Sequence, residues 1–292
     1  MNQLKEKLQE FWKKVQKFFA NMYTETPNKE KTEESSWSVG DIFATFLRTL
    51  KLLWDVMIAL FVCLFLFGAG IGIGYAASLF SNVKVPKTEE LVQQVRNVSS
   101  VSKLTYSDKS LIAEVDSDLI RIPVTGDAIS DNVKKAVIAT EDENFESHKG
   151  VVPKAVLRAT LGSVAGVGSS SGGSTLTQQL IKQQVVGDAP TFTRKATEIV
   201  DALALERGMD KNEILTTYLN VSPFGRNNRG QNIAGVEAAA QGIFGVSAKD
   251  LSVPQAAFIA GLPQSPIVYS PYAADGSLKS KENLELGLAR AK

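Results

Sequence analysis

The sequence predicts a mainly α-helical domain with a minor β-hairpin, preceded by a single transmembrane helix. Three observations carry that prediction. No charged residue occurs from Val56 to Val83, helical patterning fills almost every segment after Ser130, and strand-like alternation is confined to one short region. At 292 residues the chain has room for a membrane segment and one sizeable domain. Its 32 Lys and Arg against 31 Asp and Glu create no field that would attract nucleic acid. A single cysteine, Cys63, and a single histidine, His148, exclude an internal disulfide, a Cys-ligated metal site and a His cluster.

Residues 1–53 read as a cytoplasmic tail. Leu4, Leu8, Phe11, Val15, Phe18 and Met22 recur at steps of four and three with lysines between them, the pattern of an amphipathic helix that lies on a leaflet or against a partner. Residues 24–40, rich in Thr, Glu, Ser and Lys, read as a solvated linker.

Residues 54–81 are the membrane span, with Trp54, Tyr75 and Phe80 as interface aromatics. The span begins too late for a cleaved signal peptide and is read as an uncleaved anchor. Arg48 and Lys51 on one side are matched by Lys84, Lys87 and Arg96 on the other. The N-terminus is placed in the cytoplasm on the five lysines of the first 17 residues. Gly68, Gly70, Gly72 and Gly74 contain overlapping GxxxG spacings that would admit a partner helix, although glycine is also common in membrane helices for no such reason.

Residues 82–130 are expected to be a stalk and a small β element. Residues 84–99 form the polar, helical stalk, and 103–106 and 111–115 form a hairpin joined by 119–124. Helices are predicted at 131–145, 151–161, 175–186, 191–207, 210–220, 232–243 and 251–261. Asp210 and Glu213 have capping-box spacing, Gly208 sits at a helix end, and Pro254, Pro263, Pro266 and Pro271 break the last stretch. Residues 276–292 read as the start of a linker to a further C-terminal domain, with a natural monofunctional protein as the alternative.

Chemistry concentrates in a few stretches. On a helix continued through residue 148, Glu141, Phe145 and His148 would share one face; the bland alternative is a solvated acidic helix end. From Gly162 to Ser174, ten of thirteen residues are Gly or Ser, too little side chain to fix the segment, which runs into Thr175-Leu176-Thr177-Gln178-Gln179-Leu180-Ile181-Lys182. Ser174 can cap that helix, and Thr175, Gln178, Gln179 and Lys182 offer donors on successive turns. Arg194 and Glu198 are spaced as a surface ion pair. The three cations Lys182, Arg194 and Lys195 beside a Gly-rich helix entrance read instead as a site for a phosphate-bearing ligand.

Together these stretches resemble the peptidoglycan glycosyltransferase domain of the class A penicillin-binding proteins. Five motifs stand in order: E-D-x-x-F-x-x-H at Glu141 to His148, G-G-S-T-x-T-Q-Q at Gly172 to Gln179, R-K-x-x-E at Arg194 to Glu198, K-x-E-I-L-x-x-Y-L-N at Lys211 to Asn220, and a Gly-Ala-rich helix at Gly235 to Gly245. The resemblance implies a lysozyme-like fold over residues 131–275 with a smaller membrane-associated lobe. It implies polymerisation of lipid II into glycan strands on the outer face of the membrane, with undecaprenyl pyrophosphate released by inversion.

A sugar hydroxyl needs a carboxylate to take its proton, the role given to Glu141. The leaving group is already anionic and needs cations, a role that fits Lys182, Arg194 and Lys195. Glu198 is expected to orient them or help hold a divalent metal, Mg2+ or Mn2+. Asp142, Phe145 and His148 are carried over as cleft residues that support Glu141, and Ser174, Thr175, Gln178 and Gln179 as substrate-binding donors.

Expected partners are lipid II, the nascent strand, the membrane and cell-wall synthesis or division proteins. Two departures from the family pattern stand out. Gln183 follows Lys182 where asparagine is usual, and residues 224–231 carry Arg226 and Arg229 where a compact Gly and aromatic loop is usual. Two rivals remain at this stage, a membrane-anchored lytic glycosidase and a non-catalytic scaffold.

Overall fold

The computed structural model describes residues 39–81, 83–98, 103–107, 111–114, 119–156, 158 and 173–291, with residues 6, 9–10, 12–14 and 16–17 ahead of them. Two compact units divide between Gly70 and Ile71.

Helix α1, Val39–Ser81, begins well before residue 54 and takes in part of the segment expected as tail and linker. Its 43 residues extend about 65 Å, roughly twice the depth of a bilayer core. The stretch Ile42–Ser81 is long and apolar enough to cross a membrane. Side chains added at Gly68, Gly70, Gly72 or Gly74 would meet nothing within 4 Å, so the glycine stripe is open to close approach. The apolar positions of the amphipathic pattern, Leu4 to Met22, lie outside the described residues.

Helix α2, Thr88–Arg96, corrects the stalk. Leu91, Val92 and Val95 recur with helical spacing and are buried, so this segment is the first helix of the folded domain. Arg96 fastens it to Glu213 at 2.6 Å.

The hairpin forms as expected from strands β1, Lys103–Thr105, and β2, Leu111–Glu114. Strand β3, Leu119–Arg121, does not extend it. It pairs in parallel with β5, Asn232–Ala234, which pairs antiparallel with β4, Pro223–Arg226. Alternation announces a strand but not its partner, and this partner lies far along the chain. The helix expected from 232 therefore starts later, after Gly235 turns the chain with φ +85°.

The remaining helices are α3, Asp131–Glu141; α4, Leu176–Ile181, continued by a π turn over Lys182–Val186; α5, Phe192–Leu205; and α6, Lys211–Val221. They are followed by α7, Val236–Ala239, continued by a π turn over Ala240–Phe244; α8, Val253–Gly261; α9, Pro266–Tyr269; and α10, Lys281–Arg290. Helix α4 is buried between α5 and α6, while α3 packs along α8. Leu176, Leu180, Ile181, Leu205, Ile214, Tyr218 and Leu219 form the centre of the core. Of the helix expected at 151–161, residues 153–156 and 158 are helical and the rest lies outside the described residues, as does most of the Gly- and Ser-rich stretch.

Two further expectations change. Asp210 caps α6 by accepting from the Glu213 N–H at 2.8 Å, but the Glu213 carboxylate goes to Arg96, so the box is only half formed. Residues 276–292 are not a free linker. Gly287 is buried against the Tyr269 carbonyl and the Phe258 ring, and α10 packs on α8 and α9.

Because α2 is part of the core, Leu91→Ala is expected to lower unfolding stability by about 2–5 kcal/mol in urea titrations. A solvated stalk would give no measurable change.

Candidate active site

Helix α3 begins where Ser130 accepts from the Asn132 N–H at 3.2 Å. Val133 and Val137 mark its buried stripe, and Glu141 is the next residue at the same spacing, so the carboxylate is carried onto the protected face. The helix stops there because Asp142 turns extended, with φ −159°. This corrects the single helical face for Glu141, Phe145 and His148, since residues 143–150 are turns and bends.

Asp142 is buried, and its Oδ2 accepts from the Leu176 N–H at 2.9 Å, an unpaired donor at the start of α4. The same oxygen accepts from His148 Nε2 at 2.8 Å, while Nδ1 accepts from the Gly150 N–H at 3.0 Å, which sets the tautomer. Gly150 has φ +91°, and a Cβ there would meet the Ala202 carbonyl at 2.6 Å.

Phe145 is fully buried, with its ring edge toward His148 and the Lys211 ammonium 4.5 Å from its centroid. Lys211 also pairs with Glu206 at 2.7 Å, and Glu206 accepts from the Thr177 hydroxyl at 2.6 Å. Asp142, Phe145 and His148 therefore form a buried brace behind Glu141.

Thr175 and Gln178 are also reassigned. Thr175 caps α4, accepting from the Gln178 N–H at 3.1 Å and donating to the Gly150 carbonyl at 2.6 Å, while Gln178 Oε1 accepts from the Thr175 N–H at 3.0 Å. Both are buried and hold the helix entrance, and Gln178 Nε2 is left without a hydrogen-bond partner.

Gln179, one turn into α4 and half-buried, faces the acid. Its Nε2 donates to Glu141 Oε2 at 3.0 Å, and its Oε1 accepts from the Tyr218 hydroxyl at 3.0 Å. Burial and the neighbouring Glu141 charge push the Tyr218 phenol above its ordinary range, so it remains a donor.

The cations gather along the same helix and the start of α5. Lys195 donates to Ser174 Oγ at 2.8 Å and pairs with Glu198, whose other oxygen is 2.6 Å from Arg194. Glu198 is 3 % exposed, whereas Lys195 is 33 % exposed, so the carboxylate lies beneath the cations that cover it. Lys182, in the π turn, pairs with exposed Asp188 at 2.6 Å, which keeps the Asp188 carboxyl below its usual range.

Gln183 turns away from the cations, accepting from the Ser222 hydroxyl at 3.4 Å. The segment with Arg226 and Arg229 is the β4–β5 turn, in which Asn227 Oδ1 accepts from the Arg229 and Gln231 N–H groups, each at 3.0 Å.

Glu198, expected to orient the cations or help hold a metal, is engaged with the cations. Both of its oxygens already meet cations, and no cluster of three His, Cys, Asp or Glu side chains suited to a metal occurs among the described residues.

A family model described as Transglycosylase matches residues 108–289. The chain belongs to the transglycosylase family. The match covers β2, β3 and α10 up to residue 289 besides the predicted 131–275. Relatives of this transglycosylase domain include penicillin-binding protein 1A of Streptococcus oralis, 33% identical over 245 residues, covering 83% of this chain and 36% of the relative. Penicillin-binding protein 1A of Pseudomonas aeruginosa is 34% identical over 226 residues, covering 77% and 26%. Penicillin-binding protein 1B of Haemophilus influenzae is 35% identical over 212 residues, covering 72% and 26%. The chain thus spans about a third or less of the length of these curated relatives, and the transglycosylase match identifies it with the glycosyltransferase part of a class A penicillin-binding protein.

Sequence reading singled out neither Glu206 nor Tyr218, although Tyr218 stands inside the fourth motif. It also passed over Asp201, three residues after Glu198 on α5. Asp201 is 4 % exposed, its Oδ1 has no hydrogen-bond partner, and burial pushes its carboxyl up to about 6. A raised acid pKa means the folded state holds a proton that the unfolded state has lost, so stability falls as pH rises from about 4 to about 6. Asp201→Asn is expected to raise the melting temperature at pH 7.5, with the gain vanishing near pH 4, as followed by calorimetry across that range.

Proposed function

We propose that this domain polymerises lipid II into β(1→4) glycan strands. The acceptor's 4-hydroxyl attacks the anomeric carbon of the donor from the face opposite the diphosphate. The bond from that carbon to the phosphate oxygen breaks, the hydroxyl proton passes to Glu141, and undecaprenyl pyrophosphate departs with inversion.

The observation that carries this reading is the arrangement around α4. Gln179 holds Glu141 on one turn, Lys182 follows one turn later, and Ser174 at the entrance meets Lys195. One short helix thereby joins a base to a group of cations. Proton removal by Glu141 costs nothing at the leaving group, which needs only positive charge. Lys195, Arg194 and Lys182 supply that charge, and Glu198 sets the first two in place. A glycosidase would need a second carboxyl free to protonate the leaving oxygen. The adjacent carboxyl, Asp142, is committed to Leu176 and His148.

Any Mg2+ or Mn2+ is proposed to enter with the substrate's diphosphate, and no step is assigned to it. The long apolar helix α1 is proposed to anchor the domain on the extracytoplasmic face, with the N-terminus in the cytoplasm and the open glycine stripe available to a partner helix in the cell-wall machinery.

Purified protein given lipid II is expected to produce glycan chains on gels. Glu141→Gln should lower the rate about 10²–10⁴-fold without changing the melting temperature. Lys195→Ala should be severe but less so. Near wild-type polymerisation by Glu141→Gln removes the base assignment, and release of muropeptides from finished peptidoglycan with lipid II left untouched would establish the glycosidase instead.

A further inference from the structure

The oxygen of Glu141 that Gln179 leaves free has a neighbour outside every motif. Arg290, in the last turn of α10, places Nη2 3.6 Å from Glu141 Oε1. Neither Glu141 Oε1 nor Arg290 Nε has a hydrogen-bond partner, and both atoms are buried. The approach depends on two glycines. A Cβ on Gly261 would meet Arg290 Cγ at 2.9 Å, and one on Gly287 would meet the Tyr269 carbonyl at 2.7 Å. The end of α8 is thus bare where the arginine stem crosses it, and α10 is bare where it meets α9.

Resting on the general-base reading above, we infer that Arg290 is a positioning residue for Glu141. At 3.6 Å the guanidinium attracts the carboxylate without making the short hydrogen bond that would occupy the lone pair needed for the proton. Gln179 holds one oxygen by a directional bond, and Arg290 holds the other by charge. Together they fix the plane of the carboxylate at the end of α3, where the helix dipole disfavours an anion. The C-terminal helix thereby takes part in the site, although it bears no motif.

The test is lipid II polymerisation by the full chain carrying Arg290→Gln, Arg290→Lys, Gly261→Ala or Arg290→Gln with Gly261→Ala, beside Glu141→Gln. Arg290→Gln is expected to lower kcat about 10–100-fold, the scale of a misplaced reacting group, with KM and melting temperature unchanged. Arg290→Lys should recover most of the loss. Gly261→Ala, which displaces the arginine stem, should lower kcat in the same sense and add nothing to Arg290→Gln. The inference is overturned by Arg290→Gln within twofold of wild type, by lysine no better than glutamine, or by additive effects of the pair. If Glu141→Gln is inactive and Arg290→Gln is normal, only this inference falls. If Glu141→Gln is active, the base reading falls and takes this inference with it.

Discussion

The bond from the Leu176 N–H to the Asp142 carboxylate is the contact on which the site depends. A helix start exposes backbone donors and carries partial positive charge, so a buried carboxylate is a favourable partner there. The acid that fills this place is the residue immediately after the proposed base. With Asp142 tied to the first turn of α4, Glu141 is held within reach of Gln179, one turn further along. Chain adjacency converts a structural bond into alignment of two helices. His148 holds the same oxygen from the other side, and its ring is fixed by Gly150 and packed on Phe145. The first and second motifs are thus two halves of one joint, which explains why Thr175 and Gln178 turn inward.

At the start of α5 the electrostatics run the other way. Arg194 and Lys195 stand in the first turn, where the helix dipole repels cations. Glu198, one turn on and buried, makes that placement tolerable by pairing with both. The arrangement leaves two positive groups at a helix entrance facing outward, with the balancing negative charge beneath them. In the proposed reaction an incoming diphosphate would not first have to displace an exposed carboxylate from Lys195 or Arg194. Lys182 differs, because its partner Asp188 is exposed and can move aside cheaply. Its position in a π turn tilts it out of the regular helical row, a distortion often found where function constrains a helix.

Much of this was legible in the chain. Helices α5 and α6 announced themselves by period and by Gly208 and Asp210 at their ends, α8 by period alone, and the acidic, amide and cationic residue types pointed to chemistry because burial alone does not explain them. What was not legible depended on contacts between distant segments. The polar letters of residues 88–96 hid three apolar positions that pack, and strand β3 could not name β5 as its partner. The spacing of Glu141, Phe145 and His148 fits a helix, but the tertiary bonds made by Asp142 overrode local preference and ended it. The burial of Phe145 and Gln178 was not legible either, because motif membership does not distinguish an exposed residue from one that holds its neighbour.

The same limit bears on the base itself. A carboxylate that is to receive a proton must be held firmly yet keep a lone pair unengaged, and these demands conflict when holding means hydrogen bonding. At Glu141 they are separated by oxygen. Oε2 takes a neutral amide bond from Gln179, itself fixed by the fully buried Tyr218, so rotation of the carboxyl is restrained from within the core. Oε1 is left in protein surroundings with no hydrogen bond and with charge nearby. A buried acceptor without a donor is costly in a merely structural residue. In the proposed reaction the incoming O–H would supply the missing bond and set up transfer along it.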